Sequence, residues 1–528
     1  MTLEISTTSG IEENLKQFLI VLLVSLSVAT LSQSLEWFRK IPYTLLLVIV
    51  GLGLAFVDIR LVNLSPQLIL LIFLPPLVFE AAWNIEWSHL KRDLVPISLY
   101  AVLGVIISIA GVAFALNQLA GIALGTALLV GASISATDPV SVIALFRELG
   151  VGKRLSTLME GESLFNDGIA VVAFVFLLGL NFGGDEFNFP SLVARFVAFV
   201  GIAVGVGSLI GFGISFLTQR FDLPLVEQSS TLVAAYGAYL IAEDLGGSGV
   251  IAVVVAGLIL GNFGSRIGMN PRTRLIVTEF WNFLAFFVNS IVFLLIGDQI
   301  RFSTLLDNLL PIAVLIAAVI LTRLIAIFGL GALSNWVAKS EIPLTDQTVL
   351  WWGGLRGSVS IALALSLPVD LPEKEKMIAL IFGVVLFTLL VQGLTTKALL
   401  DKFGMLKNQA VRQEYREAIA RRVALNRAIN KLSGSHSGEI IEAEYYLHLV
   451  TTLKQEISLI QEEINQLHAE DPDLEKFAIN DLHQELEAIE ADTYAELIRV
   501  GKLSEFPPLL LHQVFKNEHS SISTATNH

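Results

Sequence analysis

The chain has 528 residues, of which 54% are hydrophobic and 16% charged, with a formal net charge of −14 and no cysteine. A soluble domain carries roughly 25% charged residues, so a soluble enzyme, a nucleic-acid binder and a disordered scaffold fit poorly; the negative balance also argues against phosphate-backbone partners. Without cysteine there are no disulfides, thiolate metal sites or thiol catalysis, and the composition is that of a polytopic membrane protein.

The first fourteen residues carry Glu4, Glu12 and Glu13 and no basic residue. That is unlike a secretory n-region, so the first apolar run is expected to be a retained helix behind an external segment at 1–16. Windows of about 20 apolar residues predict thirteen spans, near 17–34, 41–57, 66–82, 94–117, 121–146, 154–180, 191–218, 226–244, 248–262, 276–297, 309–336, 347–367 and 376–400. An odd number puts the termini on opposite sides. One set of loops carries Arg39, Lys40, Lys91, Arg92, Arg147, Lys153, Arg154, Arg220, Arg266, Arg272, Arg274 and Lys339, while the alternate loops are poor in basic residues and rich in acids such as Asp185, Glu186 and Asp370. By the positive-inside rule the C-terminus is predicted cytoplasmic and the N-terminus external. The expected fold is an all-α polytopic membrane protein. If spans 1–6 and 8–13 are repeats joined by the seventh, they have inverted orientation.

Charges at bilayer depth are costly and mark function by default. The third span reads Phe73-Leu74-Pro75-Pro76-Leu77-Val78-Phe79-Glu80, and its double proline predicts a kink; Glu80 reads equally as lining an ion path or lying near the headgroups with Trp83 and Trp87. In the fifth span, Ser135-Ala136-Thr137-Asp138-Pro139 sits between apolar runs. Pro139 frees the Ser135 carbonyl and disfavours helix at Asp138, and a broken helix offers bare carbonyls to a cation. The sixth span carries Glu162, Ser163, Asn166 and Asp167. The pairs Glu162/Asn166 and Ser163/Asp167 are each four residues apart, so these oxygen-bearing side chains share one side of a helix, as a hard cation requires. In the twelfth span Gly353, Gly354 and Gly357 surround Arg356 and predict a second interruption. Paired broken helices point to a secondary transporter's midplane site. Arg356 needs a buried anion, for which Glu162 is expected, leaving Asp167 for the cation. Arg323, alone in the eleventh span, is expected at a helix–helix or headgroup contact, and Glu279 at the cytoplasmic surface.

Residues 404–528 hold 12 Lys+Arg and 20 Asp+Glu and read as a soluble cytoplasmic tail. Leu453, Ile457, Ile460, Ile464 and Leu467 form a helical stripe expected to pack within the tail itself. Residues 520–528 look disordered. Seven of the eight histidines lie in the tail, where they read as surface residues rather than as a pH sensor. No motif identifies a tail partner.

Phe-Leu-Pro-Pro-Leu-Val-Phe-Glu at 73–80, Ser-Ala-Thr-Asp-Pro-Val at 135–140, Gly-Glu-Ser-Leu-Phe-Asn-Asp at 161–167, Ala-Glu-Asp-Leu-Gly-Gly-Ser-Gly at 242–249 and Gly-Leu-Arg-Gly-Ser at 354–358 stand in one order along the chain. In that order they resemble the monovalent cation/proton antiporters of the sodium–proton exchanger family, specifically the bacterial NhaP type, over about residues 15–400. The resemblance implies a homodimer in the cell membrane. Each protomer would have a dimerisation part, about 17–82 and 191–297, and a mobile core, about 94–180 and 309–400, within a transmembrane domain at 17–403. It implies Na+ or Li+ bound at Asp167, Asp138, Ser163, the Thr137 carbonyl and Glu80. Glu162 and Arg356 would form a structural ion pair, and the Asn166-Asp167 pair is associated with electroneutral exchange of one cation for one proton. No cofactor is implied beyond the transported ions. A K+/H+ antiporter of the same fold and a cation channel are the alternative readings. An intramembrane aspartyl protease built on Asp138 and Asp167 lacks the Gly-x-Gly-Asp run typical of that class. In physical terms, a carboxylate buried at Asp167 demands either a proton or a cation, so the two compete for one site.

Overall fold

The computed structural model describes residues 2–34, 42–57, 65–138, 140–149, 151–182, 189–219, 223–265, 269, 271–368, 371, 373–405, 407–434, 443–470 and scattered positions beyond. All regular structure among them is helical. The chain divides into two compact units, Met1–Glu148 with Gly152–Leu399, and Leu149–Val151 with Leu400–His528. Pro139 and residues 520–528, singled out from the sequence, lie outside the described residues.

The first unit begins with α1 (Thr2–Ser34), which runs back through the segment expected to precede the first span; extending a formed helix fixes one residue per hydrogen bond, whereas starting one is costly. There follow α2 (Tyr43–Phe56), α3 (Leu68–Asn84), the short α4 (Trp87–Arg92) and α5 (Leu94–Ala120). Gly121, at φ +67°, closes α5 in the left-handed conformation that glycine adopts without penalty. Next come α6 (Leu124–Ser135), α7 (Val140–Leu149), α8 (Lys153–Phe182), α9 (Phe189–Thr218), α10 (Pro224–Asp244), α11 (Gly249–Gly264) and α12 (Pro271–Asp298). The unit ends with α13 (Phe302–Asp307), α14 (Leu309–Val337), α15 (Leu344–Trp352), α16 (Ser358–Leu365) and α17 (Lys374–Lys402). Every predicted span therefore falls on a helix, and the fifth and twelfth are each split in two. Among the described residues, six helices have the length and apolar character to cross a membrane: those at 94–120, 153–180, 193–218, 272–298, 309–337 and 374–402.

Local chemistry explains the irregularities. The kink predicted at Pro75-Pro76 is realised as a wide π-type turn over Leu68–Phe73, after which α-helix resumes at Leu74; the prolines contribute no N–H to the preceding ladder. Ser248 starts α11 by accepting the Ile251 N–H at 3.3 Å.

The helices pack in two sets. In one, α2 lies on α12, α1 on both, and α11 on α3, α9 and α10. In the other, α5 lies on α6 and α14, α6 on α8 and α16, and α16 on α17. Helix α8 also touches α3 and α11. The crossing of α2 and α12 is made by two glycines: a methyl group on Gly51 would sit 2.9 Å from the Gly297 Cα. Small residues of this kind let helix backbones approach inside a bilayer, where burial from water supplies no drive.

The second unit holds α18 (Lys407–Gly434) and α19 (Ala443–Glu470). They share a core of Tyr415 and Ala418 from α18, Ile460, Ile464 and Leu467 from α19, and Leu474. Ile460, Ile464 and Leu467 of the stripe read from the sequence thus lie in the tail's own core.

Candidate cation-binding site

The site is built where the two split helices meet. Helix α6 ends at Ser135, and Ala136, at ψ 136°, turns the chain out of the helix, leaving Thr137 and Asp138 non-helical. Helix α15 ends at Trp352, and residues 353–357 are non-helical. The two breaks bond directly, the Asp138 N–H donating to the Leu355 carbonyl at 2.8 Å. Gly357 permits this approach, since any Cβ there would strike the Asp138 carboxylate. That carboxylate accepts the Val140 N–H at 3.0 Å and the Ser358 N–H, so the positive ends of both second half-helices meet at Asp138. Gly353 and Gly354 form the rest of the second break, and a Cβ on Gly354 would occupy the position of the Arg323 guanidinium.

Helix α8 presents Glu162, Ser163, Asn166 and Asp167 to the first break. Ser163 Oγ donates to the Thr137 carbonyl, and Thr137 Oγ1 lies 3.3 Å from Ser163 Oγ. Asn166 accepts the Thr137 N–H at 3.2 Å and donates to Thr137 Oγ1 at 2.5 Å and to Glu162 Oε1 at 3.3 Å. Its amide is spent holding the non-helical segment. The Asp167 Oδ1 atom is buried and has no hydrogen-bond partner.

Asp167 lies on the wall of a cavity of about 80 Å³, together with Thr137, Asp138, Ser163 and, from α3, Glu80. One water needs about 10–15 Å³ of such space, so the cavity has room for more than one water-sized group. Five of the six residues expected to bind the cation therefore face one cavity, while Asn166 stands behind it. Glu80 lies across the cavity and also accepts from Asn84 Nδ2 at 2.6 Å. Among the described residues no three carboxylate or histidine side chains converge closely enough to hold a metal ion as a cluster. The Glu80, Asp138 and Asp167 carboxylates reach this cavity from α3, the first break and α8.

Residues 20–402 match the sodium/hydrogen exchanger, transmembrane, family. Over 98% of its length the chain is 58% identical to the Na(+)/H(+) antiporter ApNhaP of Aphanothece halophytica, all of which is covered. It is 55% identical, over 97% of the chain and 98% of the relative, to the low-affinity Na(+)/H(+) antiporter NhaS1 of Synechocystis. The chain belongs to the sodium/hydrogen exchanger family. Its relatives place it among the NhaP-type members. The fold of this exchanger is that of the sodium proton antiporter MjNhaP1 from Methanocaldococcus jannaschii, with a TM-score of 0.61 at 20% identity, covering 76% of this chain and 99% of the other.

One expectation is corrected within the exchanger's site. Glu162 pairs with Arg323, not with Arg356. Arg323 Nη1 and Nη2 each donate to the Glu162 carboxylate at 2.9 Å, with both side chains buried. Arg323 also donates to the Leu350 carbonyl at 2.9 Å and the Trp351 carbonyl at 3.2 Å, closing the C-terminal end of α15. Arg356 instead donates to the Ser135 and Ala136 carbonyls at 2.7 and 3.1 Å, closing the C-terminal end of α6. Each first half-helix thus ends on a buried arginine, which is the charge its macrodipole favours. Arg323 thus sits at a helix–helix contact, one of the two positions expected for it, joining α14 to α8 and to the end of α15. Asn289 of α12 and Glu160 of α8 also line the cavity. The polar pair Asn289-Ser290 inside an apolar helix was the sequence signal for the first of these. Glu279 is exposed, consistent with a surface position.

Proposed function

We propose that this exchanger moves Na+, or Li+, against H+ across the cell membrane, one for one and without net charge transfer, by alternating access. The observation that carries the reading is the Asp167 carboxylate, which has a buried oxygen with no donor from the protein and lies on the wall of a cavity between two broken helices. A buried carboxylate without a partner is strongly disfavoured. Either a proton or a cation satisfies it, and the two exclude each other. A core that crosses the membrane only when Asp167 carries one of them performs exchange rather than leak. Relatives named as Na(+)/H(+) antiporters along nearly the whole chain support the choice of ions.

In this reading the thirteen helical stretches all cross the bilayer, with the N-terminus external and the C-terminus cytoplasmic. The set containing α5, α6, α8 and α14 to α17 is the moving core. The set containing α1 to α3 and α9 to α12 forms the fixed wall and the homodimer contact. Asp138, held by two helix N-termini, completes the cation's oxygen shell with the Thr137 carbonyl and Ser163; Glu80 acts from the opposite wall. The neutral amide of Asn166 keeps the count at one exchangeable charge per cycle.

The test is dissipation of a pH gradient by sodium in proteoliposomes. Asp167→Asn is expected to abolish it, and cation-dependent proton flux in that variant would sink the assignment. Sodium flux uncoupled from protons would indicate a channel instead.

A further inference from the structure

A second cavity, of about 20 Å³, lies on the far side of Asn166 from the cation cavity, lined in part by Tyr100, Ser108, Glu162, Asn166, Arg323 and Arg356. Most of its polar groups are satisfied within the protein. Glu162 and Arg323 hold each other, and Asn166 is engaged by Thr137. Three atoms are not satisfied: the Tyr100 hydroxyl, the Ser108 hydroxyl and Arg356 Nε are buried without a hydrogen-bond partner. Their residues are only 2%, 6% and 1% exposed. A buried donor or acceptor left unmade costs about 1–3 kcal/mol, and native proteins leave few.

Chemistry selects the ligand. Arg356 Nε only donates, so the ligand must accept. The two hydroxyls take either role. The Glu162 carboxylate disfavours an anion, and the two guanidinium groups disfavour a cation. A single water needs about 10–15 Å³ and two to four polar partners, and this cavity supplies both. We propose that the cavity binds one structural water, which accepts from Arg356 Nε and bonds to the Ser108 and Tyr100 hydroxyls. It links α5 to the second break. Because Arg356 Nη1 grips the Ser135 and Ala136 carbonyls, the water positions the segment that carries Thr137 and Asp138. This last consequence rests on the exchange reading, whereas the water site does not.

The experiment is a structure of the full chain at a resolution that places waters, for wild type, Ser108→Ala and Ser108→Val, with one wild-type crystal grown in bromide. A single peak within hydrogen-bond reach of the three atoms is expected in wild type and Ser108→Ala, without an anomalous bromide signal, and no peak in Ser108→Val, whose methyl groups fill the space. In proteoliposomes Ser108→Val is expected to need about fivefold more sodium for half-maximal exchange at an unchanged maximal rate, the equivalent of one hydrogen bond. No peak in wild type, or a bromide signal at the site, overturns the water. A displaced water with unchanged sodium dependence overturns its positioning role. Failure of wild type to exchange at all would count against the transport reading and leave the density result standing.

Discussion

Arg323 is surrounded along the chain by apolar residues, which hides its role. In space it meets Glu162 through both Nη atoms and the last carbonyls of α15. Breaking such a buried pair from one side leaves an uncompensated charge and costs about 3–5 kcal/mol. Arg323→Ala is therefore expected to lower thermal stability in detergent sharply. Pairing it with Glu162→Gln should restore part of the loss, because neither charge is then left alone. Arg356→Ala combined with Glu162→Gln should show little such coupling. A strong coupling of Glu162 to Arg356 and none to Arg323 would contradict the pairing seen here. Glu162 was expected to answer Arg356, which instead holds two backbone carbonyls; side chains on α8, α14 and the second break are distant along the chain, and hydropathy carries no information on which of two buried arginines an acid will face.

Among the elements, the two split helices form the working unit. Their C-terminal ends are closed by Arg356 and Arg323, and their N-terminal continuations meet at Asp138. Each helix end at the breaks thus meets a side chain of the charge its dipole favours, whereas the buried Oδ1 of Asp167 has no hydrogen-bond partner. Close contact between the breaks depends on Gly357. Gly357→Ala drives a methyl group into the Asp138 carboxylate, so it is expected to cost most of the exchange activity while the protein still inserts and purifies as folded. Wild-type sodium dependence in Gly357→Ala would show that the crossing tolerates separation. The glycines and Pro139 made both interruptions legible in the sequence. That the interruptions touch, and through which atoms, was not legible, since spacing along a helix says nothing about its neighbour.

For the whole molecule, competition at one carboxylate predicts a bell-shaped pH profile of sodium exchange in proteoliposomes. At low pH the proton occupies Asp167 and excludes sodium; at high pH sodium binds but no proton is available for the return step. A rate independent of pH would argue against competition. The second unit builds its own core from α18 and α19. Truncation after Lys402 is accordingly expected to leave exchange and its pH profile unchanged, as surface histidines would. A shifted profile would instead make the tail a pH sensor.

Composition, period and the proline and glycine breaks alone predicted the membrane class, the helical stretches, the two interruptions and the grouping of Ser163 and Asp167 on one side of a helix, whereas Glu80 and the Thr137 carbonyl entered only through the family resemblance. Those signals are local: an apolar window, a proline or glycine break, and a spacing of four that puts Ser163 and Asp167 on one side of a helix. Which arginine completes Glu162, the place of Glu80 on the cavity wall, the service of Asn166 behind it, and the second polar cavity were decided by tertiary packing alone. Each depends on which helices lie side by side, and a buried charge takes the partner that packing brings within hydrogen-bond reach.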